Sequence, residues 1–322
     1  MIVGIFRLKD VEMFWFKAID ESEYELDDQY CHVWKYKRRV PVRENEKDNG
    51  NVFVYKNDFV NNDVYFGEVV GSCIARCTIE NGCRAELAKK SRGIAFDNGV
   101  ISFYYFAEKD EPIAPYNVLT DYCAKEKMER VNFPAVDLIL KVLADYIVKK
   151  NGRPYAEFEA LKQQYVDMVM FDCKFGNYDR GIENWLLYRD GKSKEIKLYP
   201  LFDNEAVLGF DAKPTCDFQE MIAYCQRQDM KYYVSSSDNF RHSKMEDVEK
   251  YFLRNYPKEA KIAVEKVNRY SMKDLNALLN QFPDMGEERK AFTLRMFATR
   301  DYLFSKYQEE ILMEKEMDEG RE

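Results

Sequence analysis

Histidine is almost missing from this chain: there are two in 322 residues, His32 and His242. A Ser-His-Asp triad, a Cys-His pair or a multi-histidine metal centre would have to be built from those two alone. Neither stands in a nucleophile elbow or at a metal-ligand spacing. Long apolar runs are missing as well. No window approaches the roughly 18 uninterrupted apolar residues of a membrane helix. Arg7, Lys9 and Asp10 break the opening stretch "MIVGIFRLKDVEMFWF" before the apolar region of a signal peptide can form. The expected location is therefore cytoplasmic, with no membrane span. An excess of basic residues is lacking too: 49 Lys and Arg stand against 57 Asp and Glu, for a formal net charge of -8 and a pI near 5.2. Nucleic acid is thus a poor match as the main partner. Eight cysteines are scattered along the sequence. The one cluster, Cys73, Cys77 and Cys83, lacks a fourth ligand and the close cysteine pair of a zinc site, so buried or half-buried thiols are expected. Carboxylates, amides and lysines are left to carry any chemistry.

At 322 residues, with 46% hydrophobic content, the chain is long enough for one large domain or for two lobes, each with its own core. The first hundred residues read as strands with one helix. "DQYCHVWKYKRRV" alternates and is rich in aromatic and branched residues, and "NVFVYKNDF" is a second short strand. "NNDVYFGEVVGSCIARCTIENG" reads as a helix capped at Asn62 or Asp63 and stopped at Asn81-Gly82, and "GVISFYYFAEKDEP" as a strand with a charged exit. A boundary near Glu108 to Pro115 divides an N-lobe, 1–110, from a larger helical C-lobe, 111–322. In the second part "FPAVDLILKVLADYIVKKNG" and "RPYAEFEALKQQYVDMVMFDCKFGN" are helical, the latter with Phe158, Leu161, Tyr165, Met168 and Val169 on one face. Two short strands, "NWLLYRDG" and "KEIKLYPLF", follow with a turn at Asp190-Gly191. From about Ser243 the chain is helical, with a capping box at Ser243 and Glu246, a further cap at Ser271, and a solvated charged tail.

The most specific stretch is "FGNYDRGIENWLL", residues 175–187, in which Asp179 and Asn184 stand five apart on the exit from a helix. Asp203 follows in "LYPLFDNEAVLGF", at the end of the second short strand. Phosphoryl transfer asks for an acid that orients the attacking hydroxyl, hard oxygen ligands for magnesium and a cation on the phosphates. Helix, D-x-x-x-x-N, strand pair, Asp is the order of a kinase-type catalytic segment. The plainer alternative makes Asp179 a turn residue, Asn184 a cap and Asp203 a strand end.

"GNYDRGIENWLL" with "IKLYPLFDNEAVL" resembles the catalytic and metal-binding segments of the HipA-like kinases, and of the CtkA-type bacterial Ser/Thr kinases among them. That group carries G-N-x-D-R-H-x-x-N-W ahead of P-x-[FY]-D. The match lies at Gly176, Asn177, Asp179, Arg180, Asn184, Trp185, Pro200, Phe202 and Asp203, within roughly residues 170–210, and departs at Gly181, where the group has histidine. The resemblance implies a bilobal protein-kinase-like fold, with a small β-rich N-lobe, and transfer from ATP with magnesium to Ser/Thr hydroxyls of a protein substrate. Asp179 would be the catalytic acid-base, Asn184 and Asp203 the metal ligands, and Arg180 an anchor paired with a carboxylate. It also implies a phosphate-binding lysine on an N-lobe strand and a helix glutamate to hold it. Lys35 is preferred over Lys37, which shares its face but begins a basic run; Glu68, the lone acid in an apolar helix segment, is the expected partner. Backbone groups of Phe106, Ala107 and Glu108 would meet adenine, and self-phosphorylation would fall on Ser22 or on Ser235 to Ser237.

One departure opposes catalysis. The segment ahead of Lys35, "AIDESEYELDDQ" (18–29), has six acids and no glycine, where a phosphate-cradling loop needs small residues and free amides. A non-catalytic nucleotide-binding module of the pseudokinase or toxin–antitoxin kind therefore stands beside the kinase reading, as does a small-molecule or lipid kinase.

Overall fold

The computed structural model describes residues 63–92, 95–104, 109–128, 135–214, 217–231 and 243–319, together with the backbone of short strands between residues 17 and 57. His32, His242, Phe106, Ala107, Glu108, Ser22 and Ser235 to Ser237 lie outside the described residues, as does the side chain of Lys35.

Strands β1 (Lys17–Ala18), β2 (Tyr24–Leu26), β3 (Lys35–Arg38) and β4 (Val52–Asn57) are followed by helix α1 (Val64–Thr78) and then by β5 (Arg84–Arg92) and β6 (Ala95–Tyr104). They form one six-stranded sheet in the order β1-β5-β6-β4-β3-β2. Helix α1 packs on β5 and β6. Strand β5 was not expected: "RAELAKKSR" shows little beyond Ala85 and Leu87 as an apolar face, yet it pairs with β6 along its whole length, from Arg84↔Phe103 to Arg92↔Ala95. Tertiary pairing overrides a weak local signal here.

Helix α1 is apolar almost all round, and its glycines serve close packing. A Cβ on Gly71 would lie 2.6 Å from Cβ of Asn204, and one on Gly67 would run into the carbonyl oxygen of Glu205. The expected cap Asp63 makes no capping bond; its carboxylate pairs with Arg289 at 2.8 Å instead. The helix ends at Thr78, ahead of the expected stop, and the 81–83 segment then bridges to Leu201.

The remainder comprises β7 (Glu111–Ile113), α2 (Pro115–Lys125), α3 (Val136–Ala144), α4 (Tyr155–Phe175), β8 (Leu187–Arg189), β9 (Ile196–Leu198), α5 (Phe218–Arg227), α6 (Met245–Asn255), α7 (Pro257–Val267), α8 (Met272–Leu279) and α9 (Glu287–Glu319). Neither α2 nor α5 was read from sequence, and the helix expected after "FPAVD" changes into a π-helical turn at Asp145–Lys150. Helix α4 runs through the middle, packed by α6, α7, α9 and β9. The expected apolar face is a minimum: every residue from Tyr165 to Phe175 is buried. The β7-β8-β9 sheet is antiparallel and small. The cap expected at Ser243 falls one residue on, where Lys244 N donates to Asp247, whereas Ser271 forms its box with Asp274. No helix among the described residues is long and apolar enough to cross a membrane.

Candidate active site

Helix α4 ends at Gly176, whose φ of +78° is left-handed and whose amide returns to Asp172 O at 2.8 Å. A side chain there would also meet Arg300 Nε at 2.7 Å, so glycine is required both for the turn and for the contact. The chain leaves the helix as a tight loop, 177–184, pinned from beneath by Arg180.

Arg180 is fully buried. Its Nε and Nη2 donate to the Asp172 carboxylate at 3.1 Å each, Nη1 to Asn184 O at 3.0 Å and to Phe202 O, and Nη2 to Asn204 Oδ1 at 2.6 Å. One guanidinium thus joins helix α4, the far end of the loop and the segment that carries Asp203. The expectation that Arg180 anchors the loop through a carboxylate is met by Asp172, also fully buried. Asn177 Nδ2 adds a bond to Asp203 O at 3.3 Å, and Trp185 packs behind the loop against Tyr165 with ring centroids 5.5 Å apart.

Asp203 has φ +59°, a left-handed conformation that aspartate tolerates better than most residues. Its amide donates to Glu68 Oε1 at 3.1 Å, and that of Asn204 donates to Glu68 Oε2. Ser102 Oγ, on β6, donates to the same Oε1 at 3.1 Å. Glu68 is therefore fully buried and bonded to the Asp203 segment and to the sheet. Lys35 stands at the register position opposite Val54, and Val54 opposite Ser102, so the row of the sheet that holds Lys35 also holds the hydroxyl bonded to Glu68. Lys37 belongs to the row of Val52 and Tyr104.

Asp179 faces outward. Its carboxylate is 38% exposed and meets Lys231 Nζ at 2.7 Å; Glu183 lies 3.8 Å from the same ammonium. Half-burial works against the Lys231 charge, but the bond to Asp179 and the two acids outweigh it and raise its pKa. Nearby, Tyr178 OH donates to Asp211, which also accepts from Tyr224 OH at 3.3 Å. Burial, then the bond to Asp211, pushes the Tyr178 hydroxyl up.

Asn184 Nδ2 donates to Asp179 O at 2.9 Å, which commits the nitrogen and leaves Oδ1 for another partner. Asn184 Oδ1 and the Asp203 carboxylate are hard oxygens, the donor type that magnesium takes. Among the described residues no cluster of three or more His, Cys, Asp or Glu side chains forms a metal centre.

The structure brings Asp179, Asn184 and Asp203 around one loop and adds Glu68 behind it. Sequence reasoning missed Asp172, Asn204 and Lys231. The first two are ordinary polar residues inside apolar stretches, and an acid in the buried turn before "GNYDR" was a usable signal. Lys231 lies far along the chain and carries none.

No protein-family model matches the sequence, and no curated protein does. Among solved structures, the proinflammatory kinase CtkA of Helicobacter pylori superposes over 92% of this chain and 98% of its own at TM-score 0.70 and 16% identity. HipA of the Shewanella oneidensis MR-1 toxin–antitoxin system, solved with HipB and operator DNA, aligns over 80% of this chain and 58% of its own at 11% identity and TM-score 0.48. At such identities the likeness speaks for the fold: this chain has the α+β, bilobal, kinase-like fold of the CtkA type.

Proposed function

We propose that this protein is a kinase that transfers a phosphoryl group from ATP, with magnesium, to Ser/Thr hydroxyls of a protein, with an N-lobe at 1–110 and a C-lobe at 111–322. The observation that carries the reading is the Arg180 knot. By bonding both Asn184 O and Phe202 O it sets the candidate base and both candidate metal ligands on one frame. Asp179 would accept the proton of the acceptor hydroxyl, and Asn184 and Asp203 would hold magnesium. Lys35 would meet the phosphates from the row of Ser102 and Glu68, with Phe106 to Glu108 beside adenine. Magnesium supplies neutralisation of the phosphate charge when bound.

The two aspartates have different jobs and should fail differently. Asp203→Asn is expected to remove the magnesium-dependent part of the thermal shift given by ATP. Asp179→Asn should keep that shift and lose transfer by roughly a hundredfold or more, the scale of a general base. Equal shifts and equal transfer in wild type and both variants would return these acids to the roles of turn and strand end. The glycine-free acidic segment 18–29 favours a second reading, a nucleotide-binding module without transfer. Binding of labelled ATP by the wild type with no label passed to a generic basic protein would select it.

A further inference from the structure

We propose that Lys231 is a catalytic residue whose ammonium meets the phosphoryl group as it passes to the hydroxyl held by Asp179; this rests on the phosphotransfer reading above. Among the described residues Lys231 is the one cation within salt-bridge distance of the Asp179 carboxylate, at 2.7 Å from Oδ1. Arg180, its neighbour in sequence, is buried and spends its guanidinium on Asp172, Asn184, Phe202 and Asn204. It is not available to a ligand. Lys231, 31% exposed, opens to the same side as Asp179.

The lysine is also held in place by its backbone. Lys231 N donates to Tyr178 O at 3.2 Å, and the fully buried Met230 donates from N to Ser243 O at 2.9 Å. A strand bridge also pairs Asp229 with Lys244.

A hydroxyl accepted by Asp179 would sit about 2.6–3.2 Å from the carboxylate. Its oxygen would stand about 3–3.5 Å from the phosphorus in a reactive complex. A cation on the same carboxylate is then beside the equatorial phosphoryl oxygens, where charge gathers in transfer. The bond from phosphorus to the β–γ bridging oxygen breaks and a bond to the acceptor oxygen forms. Asp179 takes the hydroxyl proton, and Lys231 keeps its own protons throughout.

The test uses the full chain with labelled ATP, magnesium and a generic basic protein, comparing wild type with Lys231→Met and Lys231→Arg. Lys231→Met should lose about a hundredfold in kcat, the scale of removing one donor to developing charge. Its KM for ATP and its melting temperature should match wild type, and Lys231→Arg should recover most of the rate. Transfer by Lys231→Met at the wild-type rate or faster overturns the assignment alone and marks the pair as a restraint. A loss confined to KM for ATP overturns it in favour of a nucleotide-binding role. A wild type that transfers to no acceptor overturns the phosphotransfer reading itself, and this assignment with it.

Discussion

On the inner side of the 177–184 loop, Arg180 lies fully buried among four oxygen-bearing partners; on the outer side, Asp179, the residue before it, stands half in solvent with a single lysine. Both sides hold an acid and a base in contact, yet the physics differs. The inner pair has lost its water, so its polar atoms must be met by protein, and neither residue has a buried side-chain nitrogen or oxygen without a partner. The outer pair keeps water, which weakens the attraction and leaves room for a ligand. Adjacent residues thus face opposite environments, one closed and one open to solvent.

The largest expected effect breaks the inner side. Arg180→Met would strand the Asp172 carboxylate in the interior and should cost about 3–5 kcal/mol, as for other broken buried pairs. Asp179→Asn should change stability by less than about 1 kcal/mol, as for an exposed pair. Urea unfolding of both variants measures the contrast, and equal losses would erase it. Next in size is Gly67→Ala, which pushes a methyl group into the backbone of Glu205. Overpacking of that kind should cost about 1–3 kcal/mol, visible in the same unfolding curves. If Gly67→Ala is neutral, α1 is less tightly seated than the inner network implies.

The smallest effect belongs to the β8–β9 turn, where a partly exposed acid is satisfied by backbone amides. Asp190 accepts the amides of Ser193 at 2.9 Å and Lys192 at 2.8 Å, with Lys197 alongside, and its pKa falls to about 2. The folded value lies below the unfolded value of about 3.9, so the turn's contribution is complete above that pH and is lost as pH falls through about 2. An NMR titration of the Asp190 carboxyl should find the low midpoint, and Asp190→Asn should flatten that part of the stability profile.

Much of the inner side was legible in the sequence. Helix α4 showed its apolar face, the β8–β9 hairpin its Asp-Gly turn, and Glu68 stood out as the one acid in an apolar helix. The expected partner of Glu68 was a lysine; the partners among the described residues are Ser102 and the amides of Asp203 and Asn204, and backbone groups leave no mark on a sequence. Strand β5 was hidden because its lysines and its serine carry no alternation, and only its neighbour β6 makes it a strand. The outer side was half legible. Asp179 sat in a recognisable spacing, whereas Lys231 reaches it through a fold that brings distant segments together.

Helix α1 is fastened at its start by Asp63 to Arg289 of α9, and farther along by Ser72 to Asn204 Nδ2 at 3.2 Å, with Glu68 on the amides of Asp203 and Asn204 between. Seen as a matter of time rather than of shape, this makes the helix and the Asp203 turn one clock. The amide protons of Asp203 and Asn204 can exchange with solvent only when Glu68 lets go, and so should exchange at the pace of the middle of α1 rather than at that of a loop.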